Sequence, residues 1–194
     1  MAFLTTWNMT DLPSEMIDIL EEDIKKFDDW QDDSRVMGSE ISPKIRNSKN
    51  AWIPTEHWIG GWIWYYIQKA NRENFLYDLY DIDGGNIQYT HYYPGDYYTW
   101  HIDGDISTTF KPEIKPGTGE NLRDDQTFHK GECVRKLSFS LQLSDAKDYR
   151  GGEVEFINSA GERYFAPKQK GTLIVFDSRT KHRVRTVKSG LRKS

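Results

Sequence analysis

His101-Ile102-Asp103 sets an imidazole and a carboxylate two residues apart. On a strand, that spacing puts both side chains on one face, where they can grip a single ion. A third ligand has to come from elsewhere, and His182 is the best placed, just past the β-prone run Thr172-Leu173-Ile174-Val175-Phe176. Two imidazoles and one carboxylate on one face of an iron ion leave three positions free for a chelating co-substrate and dioxygen. Read alone, His-x-Asp is frequent by chance, and a histidine at a strand end is as readily solvated or satisfied in a core. Arg192 adds weight, ten residues beyond His182 in the pattern His182-x-Val184-x-x-Val187-x-x-Gly190-x-Arg192-x-Ser194. Its guanidinium can fork onto a carboxylate, and the Ser194 hydroxyl, on the same side, can add a donor. A dicarboxylate chelated to a metal at one end needs such a clamp at the other.

Positioning these groups falls to the elements around them. Met16, Ile17, Leu20, Ile24 and Phe27 recur at helical spacing and predict an amphipathic helix over residues 11–30, with Asp11 able to cap it and Pro13 in its first turn. A polar stretch, 31–50, follows. Thr55 then precedes a second helical pattern in which Trp58, Ile59, Trp62, Ile63, Tyr66, Ile67 and Ala70 share a face. Beyond Phe75 the period shortens toward two and Tyr, Ile, Val and Thr dominate. Candidate strands are residues 79–83, 87–93, 97–102, 136–143, 153–156, 163–165, 172–176 and 184–187, with Gly84-Gly85 as a hairpin turn between the first two. Short strands joined by turns, without helical crossovers, predict an α+β, mainly β fold built on an antiparallel sandwich or jelly roll, with the helices packed on one side of a sheet. Residues 104–135 are rich in Gly, Pro, Lys, Asp and Thr and lack periodicity. That length is uncommon for a connection, and its start beside His-x-Asp makes a lid the expectation.

A chain of 194 residues can bury one substantial core, so one domain over 1–194 is expected, helical over about 11–75 and jelly-roll over about 79–194. The 26 Lys+Arg against 30 Asp+Glu give a net charge of −4, which argues against a nucleic-acid partner or an anionic membrane surface. Cys133 is the only cysteine, which excludes an internal disulfide framework and suits a reducing compartment such as the cytoplasm. The N-terminus lacks the basic flank and apolar run of a signal peptide, and no stretch is long and apolar enough to span a bilayer. Aromatic residues make up 14% of the chain, to be shared between a packed core and a lined groove.

The run Tyr92-x-x-Gly95-x-x-Tyr98-x-x-His101-x-Asp103 resembles the metal-motif strand of the prolyl 4-hydroxylase-like 2-oxoglutarate/Fe(II) oxygenases. Arg135-Lys136-Leu137-Ser138-Phe139 through Leu143-Ser144-Asp145, Tyr149-x-Gly151-Gly152-Glu153 and Gly171-Thr172-Leu173-Ile174-Val175-Phe176 resemble the same family, and most closely its small bacterial and phage members. The likeness covers residues 89–194, with the motifs in the right order and at the right spacing. It implies a double-stranded β-helix, or jelly-roll, core. It further implies that His101, Asp103 and His182 bind Fe(II), and that Arg192 pairs with the far carboxylate of 2-oxoglutarate. Tyr92 matches the family tyrosine that hydrogen-bonds that same carboxylate, and Tyr98 a residue near the iron and the substrate. Gln142 falls on a strand expected to line the co-substrate pocket, although an outward-facing polar position is equally compatible. Gly151-Gly152 suits a turn more than chemistry. His57, His91 and His129 receive no metal role. Arg46-Asn47-Ser48-Lys49, with Trp52 nearby, also looks like a segment of the family, and a substrate contact is one reading of it.

The implied reaction is hydroxylation of a peptidyl residue, with proline the leading candidate, coupled to conversion of 2-oxoglutarate and O2 into succinate and CO2, with ascorbate as a family requirement. Oxidative demethylation of a nucleobase is the alternative enzyme; the acidic balance and the lack of a second arginine paired with Arg192 weigh against it. A non-catalytic jelly-roll binding module is the alternative from another class, and iron-dependent succinate production would exclude it. Family members usually continue past the arginine with a further apolar strand, whereas this sequence stops at Ser194, which leaves the firmness of the Arg192 clamp open.

Overall fold

The structure, a computed structural model, describes residues 6–10, 12–34, 44–104 and 133–194. Most of the expected lid, His129 and the capping position given to Asp11 lie outside the described residues. Helix α1 spans Ser14–Ile24 and passes into a 3-10 turn over Lys25–Trp30, so the apolar spacing of one helix is divided between two. Pro13 stands just before α1, with its carbonyl accepting from Met16 and Ile17. Helix α2 spans Trp58–Ala70. Its first turn is capped by His57, whose Nδ1 accepts from the Ile59 amide at 3.4 Å. The expected Thr55 cap is instead drawn to Gly85, to whose carbonyl the Thr55 hydroxyl donates at 3.0 Å.

The strands are β1 (Thr6–Met9), β2 (Asp32–Asp33), β3 (Arg46–Asn47), β4 (Lys49–Pro54), β5 (Asn86–Tyr92), β6 (Tyr97–His101), β7 (Leu137–Leu141), β8 (Tyr149–Gly151), β9 (Val154–Ile157), β10 (Arg163–Phe165), β11 (Leu173–Asp177), β12 (His182–Val184), β13 (Val187–Gly190) and β14 (Arg192–Lys193). One antiparallel run is β14-β5-β4-β2 and a second is β1-β11-β7. They join where the Leu143 amide donates to the Lys193 carbonyl at 3.1 Å. Facing them is β10-β9-β12-β6-β3, with β8 and β13 paired as a separate ribbon. Val154 and Phe156 of β9 pack on Ile174 and Phe176 of β11, which closes one end of the sandwich. This is the expected jelly roll.

The outer face of the larger sheet carries the helices. Ile17, Leu20 and Ile24 of α1 and Ile59, Ile63, Ile67 and Ala70 of α2 share one buried cluster with Ala51, Ile53, Ile87, Tyr89, Leu141, Leu143, Leu173 and Val175. Each such aliphatic contributes about 1.5–3 kcal/mol on burial, which is enough to fix the register of every strand beneath. Trp58, expected on that face, lies at the rim with its indole N–H donating to Asp23. Because strand side chains alternate, the residues between the helix-facing ones point into the sandwich: Thr90 and Tyr92, Ser138, Ser140 and Gln142, and Arg192 and Ser194. The inner face is polar where the outer one is apolar.

Two expectations are corrected. Residues 79–83 form no strand, and Gly84-Gly85 belongs to a short 3-10 turn over Asp83–Gly85. The partner of β5 is β4, which begins at the end of the stretch 31–50 read as polar and runs on to Pro54. The polarity of that stretch misled because Arg46, Ser48 and Asn50 are buried toward the interior rather than solvated. The firmness of Arg192, open from the sequence, is settled by pairing: Arg192 stands directly opposite Tyr92 in the β14–β5 pair and is 1% exposed. Ser194 continues the ladder, exchanging both backbone bonds with Thr90 at 2.8 and 3.0 Å. On the outer face Lys193 reaches Glu21 of α1, which also receives Lys170 at 2.8 Å. Burial raises the Glu21 carboxyl's pKa, but the two lysines outweigh it and hold it below its usual value.

His91 illustrates how the packing becomes pH-dependent. It is buried on β5 beside Asp28 and Gln31, and burial, aided by Lys193 and opposed by Asp28, lowers its pKa from the ordinary value of 6.5. The unfolded chain therefore takes up a proton that the folded chain refuses, so this contribution is intact above about pH 6.5 and is lost as pH falls toward the lower folded pKa. With a chelator present, the melting temperature is expected to drop between pH 7.5 and 5.5, and less so in His91→Phe; an unchanged slope in that variant would remove His91 from the account.

Candidate functional site

His101 and His182 are brought together by register. The β12–β6 pair places them as direct cross-strand partners, with ring centroids 4.1 Å apart. Each ring's Nδ1 faces the carbonyl two residues earlier in its own strand or turn: Thr99 O at 2.7 Å from His101, and Thr180 O at 2.9 Å from His182. A carbonyl only accepts, so both Nδ1 atoms carry the proton and both Nε2 lone pairs are left free. Those Nε2 atoms lie 3.4 and 3.6 Å from the two carboxylate oxygens of Asp103. One ligand atom from each of the three residues falls within 4.8 Å of the others, a set able to hold one ion.

The surroundings hold these groups still. The Asp103 amide donates to the Ser178 carbonyl at 2.9 Å, and the Ser178 hydroxyl meets that of Ser138 at 2.9 Å. Burial raises the Asp103 pKa, but the two histidines beside it and Ser138 together hold it far below the usual carboxylate range. Burial lowers the pKa of His182, against the pull of Asp103, so its ring favours the neutral form that can donate a lone pair. Phe176 meets the His182 ring edge-on at 4.7 Å. Tyr98 stacks on His101 at 3.5 Å and 16°, and the Arg46 guanidinium covers the tyrosine at 4.8 Å.

Arg192 opens onto the same cavity as the three clustered residues, together with Tyr92, Tyr98 and Ser194. Its Nη1 donates to the Ser194 hydroxyl at 3.1 Å, and its guanidinium lies 5.2 Å above the Tyr92 ring. Among the described residues no carboxylate reaches ion-pair distance, and Arg192 Nε has no hydrogen-bond partner. A buried cation is costly unless an anion meets it, and among the described residues none does, so this end of the cavity suits an anionic group. Gln142 lies on the inner face with Arg192, 1% exposed and with Oε1 unpartnered, yet it is not among the residues lining the cavity.

Residues 87–194, more than half of the chain, match the family model of the 2OG-Fe(II) oxygenase superfamily. The chain belongs to that superfamily. A PKHD-type hydroxylase of Herminiimonas arsenicoxydans is 27% identical over 166 residues, covering 84% of this chain and 64% of that protein. The chain spans between 25% and 64% of the length of the curated relatives it matches. Among solved structures, a Trichoplax adhaerens prolyl hydroxylase, in complex with a peptide fragment of the hypoxia inducible factor oxygen degradation domain, superposes with a TM-score of 0.71 at 15% identity over 97% of this chain and 80% of that one. The viral collagen prolyl hydroxylase of Paramecium Bursaria Chlorella virus-1, in its 2OG complex, gives 0.61 at 22% identity over 98% and 92%. These likenesses establish the oxygenase fold. No helix of this oxygenase-superfamily chain, among the described residues, is long and apolar enough to cross a membrane.

Ser138 and Tyr149 entered the sequence reading only as motif positions without a role, and Ser178 not at all. For Ser138 a signal existed: Leu137-Ser138-Phe139-Ser140-Leu141 alternates perfectly, and a serine face opposite a leucine face is what a polar interior requires. Arg46 was singled out only by resemblance; its burial against Tyr98 needed the β3–β6 pairing, which joins segments about fifty residues apart.

Proposed function

We propose that the chain is an Fe(II)- and 2-oxoglutarate-dependent dioxygenase that hydroxylates a peptidyl residue, with proline as the substrate class. The observation that carries this reading is the buried Arg192, without an anionic partner among the described residues, in the same cavity as His101, Asp103 and His182. The donor set fits the metal: two neutral imidazoles with bare Nε2 atoms and one carboxylate suit Fe(II) and leave room for a co-substrate. In this reading the three residues hold the iron. Arg192, with the Ser194 and Tyr92 hydroxyls, takes the far carboxylate of 2-oxoglutarate, which fixes the orientation of the co-substrate along the cavity. Gln142 is kept as a contributor from the same face. When bound, iron and 2-oxoglutarate would activate dioxygen, one oxygen atom of which would go to the substrate as a hydroxyl and the other into succinate, with release of CO2.

The chain's own part is to bind, orient and exclude water. Ser138 and the Ser178 carbonyl keep Asp103 in one orientation, and the two backbone carbonyls keep both imidazoles in one tautomer. Tyr98, stacked on His101 and open to the cavity, stands where a substrate side chain would approach. A peptide is supported as substrate by the peptide bound to the Trichoplax relative, and proline by the names of the relatives. A reducing, cytoplasmic setting suits both the ferrous ion and the unpaired Cys133. The test is incubation with Fe(II), 2-oxoglutarate, ascorbate and proline-containing peptides. Succinate formation that depends on iron and peptide, with one oxygen added to a prolyl residue, is expected. Succinate released without any modified prolyl residue would leave the oxygenase and remove proline; no iron-dependent turnover of 2-oxoglutarate would remove the reading altogether.

A further inference from the structure

Among the buried polar atoms that lack a hydrogen bond of good geometry are Arg192 Nε and the Tyr149 hydroxyl. Tyr149 stands on β8, opposite Gly190 of β13, and is 3% exposed. The two side chains meet around Gly152. A β-carbon built there would sit 3.0 Å from Arg192 Cδ and 3.2 Å from Tyr149 Cε2. Gly152 also adopts φ +65, a conformation that side chains resist, so glycine both permits the turn and leaves the space these residues fill. Outside them, Lys168 covers the Tyr149 ring at 4.2 Å and donates to the Gly151 carbonyl at 3.0 Å, which seals the cradle. Burial raises the Tyr149 pKa and the Arg192 charge offsets part of that rise, as expected of a neutral phenol lying beside a guanidinium.

An orphaned N–H in such a place costs about 1–3 kcal/mol. The phenol oxygen of Tyr149, packed against the Arg192 side chain around Gly152, is placed to accept it. Tyr149 is not among the residues lining the cavity, whereas Arg192, Tyr92 and Ser194 are, so its influence on a ligand passes through Arg192. We propose that Tyr149 is a positioning residue for Arg192: its phenol oxygen accepts the Nε–H and sets the plane of the guanidinium, so that both terminal nitrogens face the distal carboxylate of the co-substrate. The inference rests on the co-substrate reading given above.

The test is anaerobic calorimetry of the full chain, titrating first Fe(II) and then 2-oxoglutarate. Tyr149→Phe keeps the ring and removes only the oxygen, so the fold is retained. Its affinity for 2-oxoglutarate is expected to fall on the order of tenfold, the effect of one hydrogen bond to a charged group, with Fe(II) affinity unchanged. In an Arg192→Lys background, which has no Nε–H, the same substitution is expected to have no further effect. Unchanged affinity in Tyr149→Phe, or a loss that adds in full to that of Arg192→Lys, overturns the proposal. An equal loss of Fe(II) affinity overturns it too, because Tyr149 then acts on the fold. Absence of 2-oxoglutarate binding by the wild-type, iron-loaded chain is a different failure, which removes the co-substrate reading itself.

Discussion

His182→Ala is expected to abolish Fe(II)-dependent turnover and to weaken Fe(II) binding by more than the 10–100-fold typical of losing an outer-sphere partner. The ring is buried between Phe176 and the Asp103 carboxylate, with Nε2 free and Nδ1 already committed to Thr180, so nothing nearby replaces the lost lone pair. Anaerobic titration with Fe(II) and 2-oxoglutarate, following the weak visible charge-transfer band of the chelate, reads the effect directly. The band is expected from the wild type and absent from His182→Ala, while circular dichroism reports a retained fold. Ser138→Ala gives the contrast. It leaves all three ligands and frees the carboxylate to turn, so affinity is expected to fall within that 10–100-fold range. Full activity in His182→Ala would dissolve the proposed triad.

Arg192→Met is expected to move stability and co-substrate binding in opposite directions. The guanidinium is 1% exposed with no anionic partner among the described residues, so replacing it with an apolar side chain of similar length removes an uncompensated buried charge. The apo protein should gain about 1–2 kcal/mol. Binding of 2-oxoglutarate to the iron-loaded protein should meanwhile weaken by about 3 kcal/mol, on the order of a hundredfold, as when one member of a buried charge pair is truncated. Thermal melts without ligand and calorimetry with it separate the two effects. A variant that melts lower and still binds 2-oxoglutarate tightly would mean that Arg192 serves the core and not the co-substrate.

Much of this was legible in the sequence, for physical reasons that differ by element. The apolar periods of α1 and α2 report burial on one side only, and that side is where the packing put them. His101-x-Asp103 was readable because period two is a property of any strand, whatever it pairs with. The cross-strand partnership of His101 with His182 depends on register, and the motif order stood in for it. What stayed hidden was the polar interior. β4 was missed because it opens on Lys49 and Asn50, the end of a polar stretch, and β3 because Arg46 is charged; hydrophobic patterning cannot see a strand whose buried residues are polar. The stability of the last strand was likewise out of reach, since it comes from Glu21, Lys170 and the Thr90 backbone, none of them neighbours of Arg192 in the chain.

The tie between Lys193 and Glu21 closes a loop of 172 residues. Contacts so distant in sequence form late, because the entropy of closing the intervening chain has to be met before they return any stability. The anion pocket is therefore among the last parts of the molecule to exist during folding, while the part of the helix-covered face built from α1, β4, α2 and β5 can condense earlier. A chain caught part-way would hold a core but no place for a dicarboxylate. In refolding experiments, ligand capture should lag behind the burial of tryptophan, and the interval between the two would time the seating of β14 against its neighbours.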